Sequence, residues 1–214
     1  MNKPLISVIA MALIGATAMT ASAATIFGDD FNRGASYTVG NGWSEFESDS
    51  ADVSLIDRAI GDQQLQIRDD DPLAIASQLS GLSTLGYASV TLAYEWAPTN
   101  NTERGDFLRL EWRDGSAPAG LWTEVASHAL MGPASYSWAS WDIAAGGLTD
   151  FEFRFRVDVD ANNEGAYVDN VSVTGNGGRL GAVNAVPEPG SLVLAGLALG
   201  MLGWSRRKVE LAAA

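Results

Sequence analysis

Residues 151–159 read Phe151-Glu152-Phe153-Arg154-Phe155-Arg156-Val157-Asp158-Val159. Every odd position is apolar and every even position carries a charge. A period of two is the pattern of an extended strand with one face in a core and the other in water. Four charges on one face place that face in solvent, which favours an antiparallel sheet covered on one side. The same rhythm recurs outward from this stretch. Val90, Leu92, Tyr94 and Trp96 alternate with Thr91, Ala93 and Glu95; Leu108, Leu110 and Trp112 alternate with Arg109, Glu111 and Arg113; Leu65 and Ile67 alternate with Gln64, Gln66 and Arg68. Tyr167, Val171 and Val173 share one parity. Turn clusters separate the runs: Pro98-Thr99-Asn100-Asn101, Asp114-Gly115-Ser116, Ala145-Gly146-Gly147 and Asn162-Asn163-Glu164-Gly165. No stretch between residues 24 and 175 offers a long period of 3.6. The expected fold is all-β, an antiparallel β-sandwich of jelly-roll type.

The two ends of the chain have a different character. Lys3 precedes an apolar run from Leu5 to Ala18, and Ala21-Ser22-Ala23 follows. That is a signal peptide over residues 1–23, with the mature chain expected to start at Ala24 after signal peptidase. Residues 24–175 are the expected β-sandwich domain and 176–185, with Asn176-Gly177-Gly178, a flexible linker. At the far end Val186-Pro187-Glu188-Pro189 precedes an uncharged run from Gly190 to Trp204, then Arg206-Arg207-Lys208. As a helix the run would be about 22 Å long, against a hydrocarbon core of about 30 Å. It lacks the polar face of a buried core helix. Its basic triplet would stay on the cytoplasmic side of the inner membrane.

This ending resembles the PEP-CTERM sorting signal of Gram-negative bacteria, carried by Pro187, Glu188, Pro189, the Leu192–Trp204 membrane segment and Arg206, Arg207 and Lys208 at 186–208. The resemblance implies recognition by an exosortase, a membrane cysteine protease, with cleavage near Pro187-Glu188-Pro189 and delivery to the cell surface or an exopolysaccharide matrix. The tail at 209–214 runs further past the basic cluster than the resemblance leads one to expect.

Composition narrows the function. Residues 24–185 hold nine Arg and 24 Asp and Glu, a net charge of −15. Such a body repels nucleic acid, so no nucleic-acid partner is expected. Acidity suits a solvated exported domain, or one that takes up divalent cations. The absence of cysteine excludes thiol catalysis and disulfides, and His128 is the only histidine, which leaves no His-based triad.

The opening Gly28-Asp29-Asp30-Phe31 and the closing Tyr167-Val168-Asp169-Asn170-Val171-Ser172-Val173-Thr174 resemble bacterial jelly rolls akin to carbohydrate-binding modules and MAM-like domains. The parity of Asp169 aims its carboxylate at the core, where it needs hydrogen bonds or a cation. Asp29, Asp30 and Asp169 are therefore candidate ligands of a structural Ca²⁺, which the resemblance also implies; backbone N–H groups are the alternative for Asp169. Asp158, Asp160, Asn162 and Asp169 follow EF-hand spacing, but Asn163 stands where glycine is required and the segment is entered from a strand, so a hairpin tip is expected.

Of six tryptophans in the body, Trp96 and Trp112 have core parity. Trp122, Trp138 and Trp141, with Tyr136, are candidate sugar-stacking residues, against the alternative of edge packing. Glu95 and Glu111, expected on the polar faces of neighbouring strands, have the makings of a glycosidase pair, but Arg109 and Arg113 beside Glu111 explain them as ion pairs. No catalytic residue is expected. The reading is a non-enzymatic surface or matrix protein associated with polysaccharide. Its rivals are a dedicated carbohydrate-binding module and an exported hydrolase.

Overall fold

A computed structural model describes residues 23–47, 51–68, 75–117 and 122–177. The signal peptide, most of the linker and the sorting signal lie outside the described residues. Among these residues there is no helix, and eleven strands form two antiparallel sheets. They are β1 (Ala24–Asp29), β2 (Trp43–Phe46), β3 (Val53–Ala59), β4 (Asp62–Arg68), β5 (Ile75–Leu82), β6 (Ser89–Pro98), β7 (Phe107–Asp114), β8 (Thr123–Ala129), β9 (Ser137–Ile143), β10 (Phe151–Asp158) and β11 (Gly165–Asn176).

The stretch at 151–158 is the centre of one sheet, ordered β2-β5-β10-β7-β8. Phe151, Phe153, Phe155 and Val157 are fully buried. Trp43 meets Phe153 edge-on at 5.4 Å, and Phe155 meets Tyr94 of the opposite sheet at 4.9 Å. Such offset aromatic contacts hold large rings together at the sandwich centre. The charges on the other face pair across strands: Arg154 with Glu111 at 2.6 Å, Arg113 with Glu152 at 2.5 Å and Arg109 with Asp158 at 2.9 Å. Arg154–Glu111 and Glu152–Arg113 are directly opposed, whereas Arg109, which lies opposite Arg156, reaches Asp158 diagonally.

The second sheet is ordered β3-β4-β11-β6-β9. β4 pairs with Gly165–Val168 and β1 with Val171–Gly175, so both lie end to end along the same side of β11. Between them the register against β6 shifts from Asp169 to Ser172, and Asn170 adopts a φ of +50°. This bulge corrects the expected parity. Ala166 and Val168 are buried before it, Val171 and Val173 after it. Tyr167 and Asp169 therefore point to the outer face of the sheet, not into the core; the extra residue inverts the alternation.

A second correction concerns Glu95 and Glu111. β6 and β7 belong to different sheets. Both glutamates face outward, away from the shared core, on opposite sides of the sandwich, so they cannot flank one glycosidic bond.

Candidate functional site

At the end of β1 the chain turns sharply, and Phe31 and Asn41 both take positive φ, 55° and 52°. With Asn170 these are the three non-glycine residues in that conformation among the described residues, a costly state usually held by its surroundings. They gather at a polar depression of about 470 Å³, lined by Asp29, Asp30, Asn32, Arg33, Asn41 and Asn170, among others. Asp29 is its anchor. Its Oδ1 accepts the Phe31 N–H at 2.8 Å and Arg33 Nη1 at 2.6 Å. Its Oδ2 accepts Arg33 Nη2 at 3.0 Å, Asn41 Nδ2 at 3.1 Å and Trp43 Nε1 at 2.8 Å. Burial pushes this carboxyl up, but Arg33, Asn41, Phe31 and Trp43 together outweigh it and hold the group below its ordinary value.

That arrangement tests the expected calcium set. A carboxylate offers about four lone-pair positions, and five protein donors already surround Asp29. Asp30 is exposed and accepts the Asn32 N–H at 3.1 Å. Asp169, 1% exposed, accepts the Asn170 N–H at 2.7 Å on Oδ1 and Arg58 Nη1 at 3.0 Å on Oδ2. It is not among the residues lining the depression. Arg33 and Arg58 stand where a cation would bind, so these three aspartates do not fit a calcium ion.

Arg58 organises the outer face of the β6–β11 pair. The same Nη1 reaches Glu95 Oε2 at 3.0 Å, and Glu95 lies directly opposite Asp169. The guanidinium sits 3.7 Å from the centre of the Tyr136 ring. One cation therefore separates two facing carboxylates and stacks on an aromatic face. For Asp169 burial prevails over Asn170 and Arg58, and its carboxyl stays above the ordinary value. Burial also lifts the Tyr136 hydroxyl, to about 12.

The four candidate aromatics are divided among three places. Trp122 lies on the outer face of the β10 sheet, under the guanidinium groups of Arg154 at 4.2 Å and Arg113 at 4.5 Å. Tyr136 is half-buried beneath Arg58. Trp138 and Trp141 stand on the edge strand β9, 60% and 38% exposed. Trp138 is opposite Glu95 on the outer face, and Trp141 is opposite Leu92 on the inner parity. The inner side of this edge holds an aromatic group that the sequence did not reveal. His128 stacks on Trp96 at 4.4 Å, lies 6.3 Å from Trp141 and has its Nε2 2.6 Å from the Tyr94 hydroxyl. Burial lowers the His128 pKa and raises that of Tyr94. Both groups are thus held neutral and share one hydrogen bond, a packing role for the lone histidine.

Comparison with known proteins adds to this geometry. Residues 185–208 match the PEP-CTERM protein-sorting motif. No curated protein matches the chain. Among solved structures, the CBM22-1 xylan-binding domain of Paenibacillus barcinonensis Xyn10C has a TM-score of 0.52 at 12% identity, covering 73% of this chain and 96% of that one. The CBM22-1–CBM22-2 tandem of the same Xyn10C gives 0.54 at 13%, over 79% and 50%. The K3 cleaved adhesin domain of Lys-gingipain from Porphyromonas gingivalis gives 0.52 at 11%, over 72% and 99%. At such identities the likeness concerns fold. The chain carries a PEP-CTERM sorting motif behind an antiparallel jelly roll of the kind found in carbohydrate-binding modules.

Proposed function

We propose that this is an exported, non-enzymatic surface or matrix protein whose body binds exopolysaccharide along the β9 edge. Signal peptidase removes residues 1–23, the apolar run holds the precursor in the inner membrane, and an exosortase releases it near Pro187-Glu188-Pro189. The observation that carries the binding reading is the pair of exposed tryptophans, Trp138 and Trp141, on one edge strand. Three residues apart, they stand about 10 Å from one another along the strand. An indole face offers apolar surface to the C–H face of a sugar ring. The polar groups beside it suit hydroxyls: Glu95 lies across from Trp138, and Asn170 Nδ2 reaches Glu95 at 3.3 Å. Trp138, 60% exposed, has little packing use in the monomer and is the stronger anchor; Trp141 packs beside His128 on the other side of the strand but keeps 38% of its surface open to a chain running along the edge.

Affinity electrophoresis of the exported protein in gels containing native exopolysaccharide, xylan or mannan tests the reading. Trp138→Ala and Trp141→Ala should each weaken retention about tenfold or more, the scale of a lost aromatic anchor. Trp122→Ala should change it less than twofold, because Arg113 and Arg154 cover that ring. The opposite ranking would move the platform to the β10 face. Equal retention of all three variants, or no retention of the parent, would sink the glycan reading.

A further inference from the structure

At one end of the sandwich the β6–β7 and β10–β11 loops are stitched together. Thr99 N–H donates to Gly165 O at 3.0 Å, and Asn101 Nδ2 to Asn163 O at 3.4 Å. Gly165 lets the start of β11 close on β4 at this end: a Cβ there would lie 2.1 Å from Ile67 O. The stitching gathers three carboxylates from two loops. Asp106, Asp160 and Glu164 each place an oxygen within 4.8 Å of the other two. Asp106 and Glu164 are 3% and 5% exposed, whereas Asp160 is open to solvent. No cationic side chain is paired with any of the three among the described residues.

A cluster of acids alone is common on an acidic surface. What sets this one apart is Glu164 Oε2, which is buried with no hydrogen-bond partner, as is Thr99 Oγ1 beside the loop junction. An unsatisfied buried carboxylate oxygen destabilises the fold, and here two further carboxylates add repulsion. Burial first, then Asp106 and Asp160, push the Glu164 carboxyl above its ordinary range. The contrast with Asp29 and Asp169 is direct: each of those has an arginine, and this cluster has none.

We propose that Asp106, Asp160 and Glu164 form a calcium site that clamps the β6–β7 loop to the β10–β11 loop. Calcium takes oxygen ligands at 2.3–2.6 Å in flexible geometry, so three carboxylate oxygens within 4.8 Å of one another can close on one ion with small side-chain adjustments. Magnesium demands near-ideal octahedral geometry and gives up its waters reluctantly, so a carboxylate set drawn from two loops suits it less. There is no nitrogen or sulfur ligand to favour a softer metal. The ion would satisfy Glu164 Oε2, cancel the mutual repulsion and leave room for water on the open Asp160 side. The site is separate from the Asp29–Asp30 depression and independent of the glycan reading.

The full chain in detergent, stripped with chelator, is titrated with calcium by equilibrium dialysis, and its melting is followed in parallel. One calcium per chain should bind, with Kd on the order of 10⁻⁴–10⁻³ M as in extracellular modules. Saturating calcium should raise the melting temperature by roughly 5–10 °C. Asp160→Asn, at an exposed position, should weaken binding about tenfold or more. Glu164→Gln should lose the calcium response while melting in chelator at or above the parent, because repulsion is relieved. Generic damage would lower the melt in chelator, which separates the two explanations. Absence of saturable uptake by the parent overturns the proposal, as does parental affinity in Asp160→Asn or Glu164→Gln.

Discussion

Replacing Asp29 with alanine is expected to destabilise the folded body by about 3 kcal/mol, the cost of removing one partner from a buried charged network. The loss exceeds that of one contact because Asp29 serves four residues at once. Without it the Trp43 indole N–H and the Phe31 N–H lose their acceptor in a buried setting, and Arg33 loses both of its bonds to carboxylate. Phe31 is fully buried at a φ of 55° and depends on that N–H bond to hold the turn. Arg33 itself is partly exposed, so water recovers some of its loss and keeps the figure at the lower end of the range. For a domain of this size the melting temperature should fall by roughly 6–12 °C. Asp29→Asn keeps an acceptor and the shape but not the charge, and should cost about half as much. A drop below about 2 °C for Asp29→Ala would show that the network contributes little.

The pH dependence has a definite sign. The folded Asp29 carboxyl lies below its ordinary value of 3.8. Its contribution is therefore present above the unfolded value and is lost as pH falls through the folded one, below about 4. Asp169 has the reverse sign, because burial raises it: its contribution is present at low pH and is lost as pH rises through the folded value. Acid unfolding of the parent should thus be shifted by Asp29→Ala and much less by Asp169→Asn.

Much of the sandwich was legible because alternation is a local signal. Phe151 to Val157 announced the central strand, and Leu108 and Leu110 its neighbour, since each apolar side chain there needs only its own strand to tell inside from outside. The failures share one cause. Asn170 adds a residue to β11, and nothing in Val168-Asp169-Asn170-Val171 marks which side chain is extra, so the parity of Asp169 was inverted. Its partner Arg58 is 111 positions away in sequence, and no periodicity encodes such a meeting. The same limit hid Asp106 beside Asp160 and Glu164. The turn at Asn162–Gly165 was visible, but it is no hairpin tip: it carries the chain from β10 to β11 in the other sheet, and the β6–β7 loop that completes the cluster is another such crossing. Glu95 and Glu111 were assigned to neighbouring strands because consecutive strands often pair; in a jelly roll the chain crosses between sheets, and β6 and β7 do so. The aromatics split for a similar reason: Trp122 and Tyr136 are covered by arginines from other strands, which only the fold brings to them.

The largest effect expected on biology comes from the other end of the chain. Changing Pro187, Glu188 and Pro189 together to alanine should leave export intact and abolish release from the inner membrane. The two functions rest on separate segments. On the proposed reading, export rests on residues 1–23, which the change does not touch. Release would then need a covalent cut, because an uncharged run such as Leu192–Trp204, once inserted, would not leave the bilayer at a useful rate. Arg206, Arg207 and Lys208 would keep its far end in the cytoplasm, with Pro187-Glu188-Pro189 at the opposite surface. The prolines matter to a protease in a physical way. Each locks φ near −65° and removes an N–H, and each disfavours helix in the residue before it. Both effects disfavour helix at the motif on sequence grounds, which suits a segment that a protease must bind in extended form. Alanine removes both constraints and raises helix propensity there. Intact mass of protein from the medium and from the inner membrane reads the outcome. The parent should begin at Ala24 and end near Pro187, whereas the variant should remain in the membrane fraction with its apolar run and basic triplet. Release of the variant at the parental level, with the same mass, would show that the motif is not what the processing enzyme recognises.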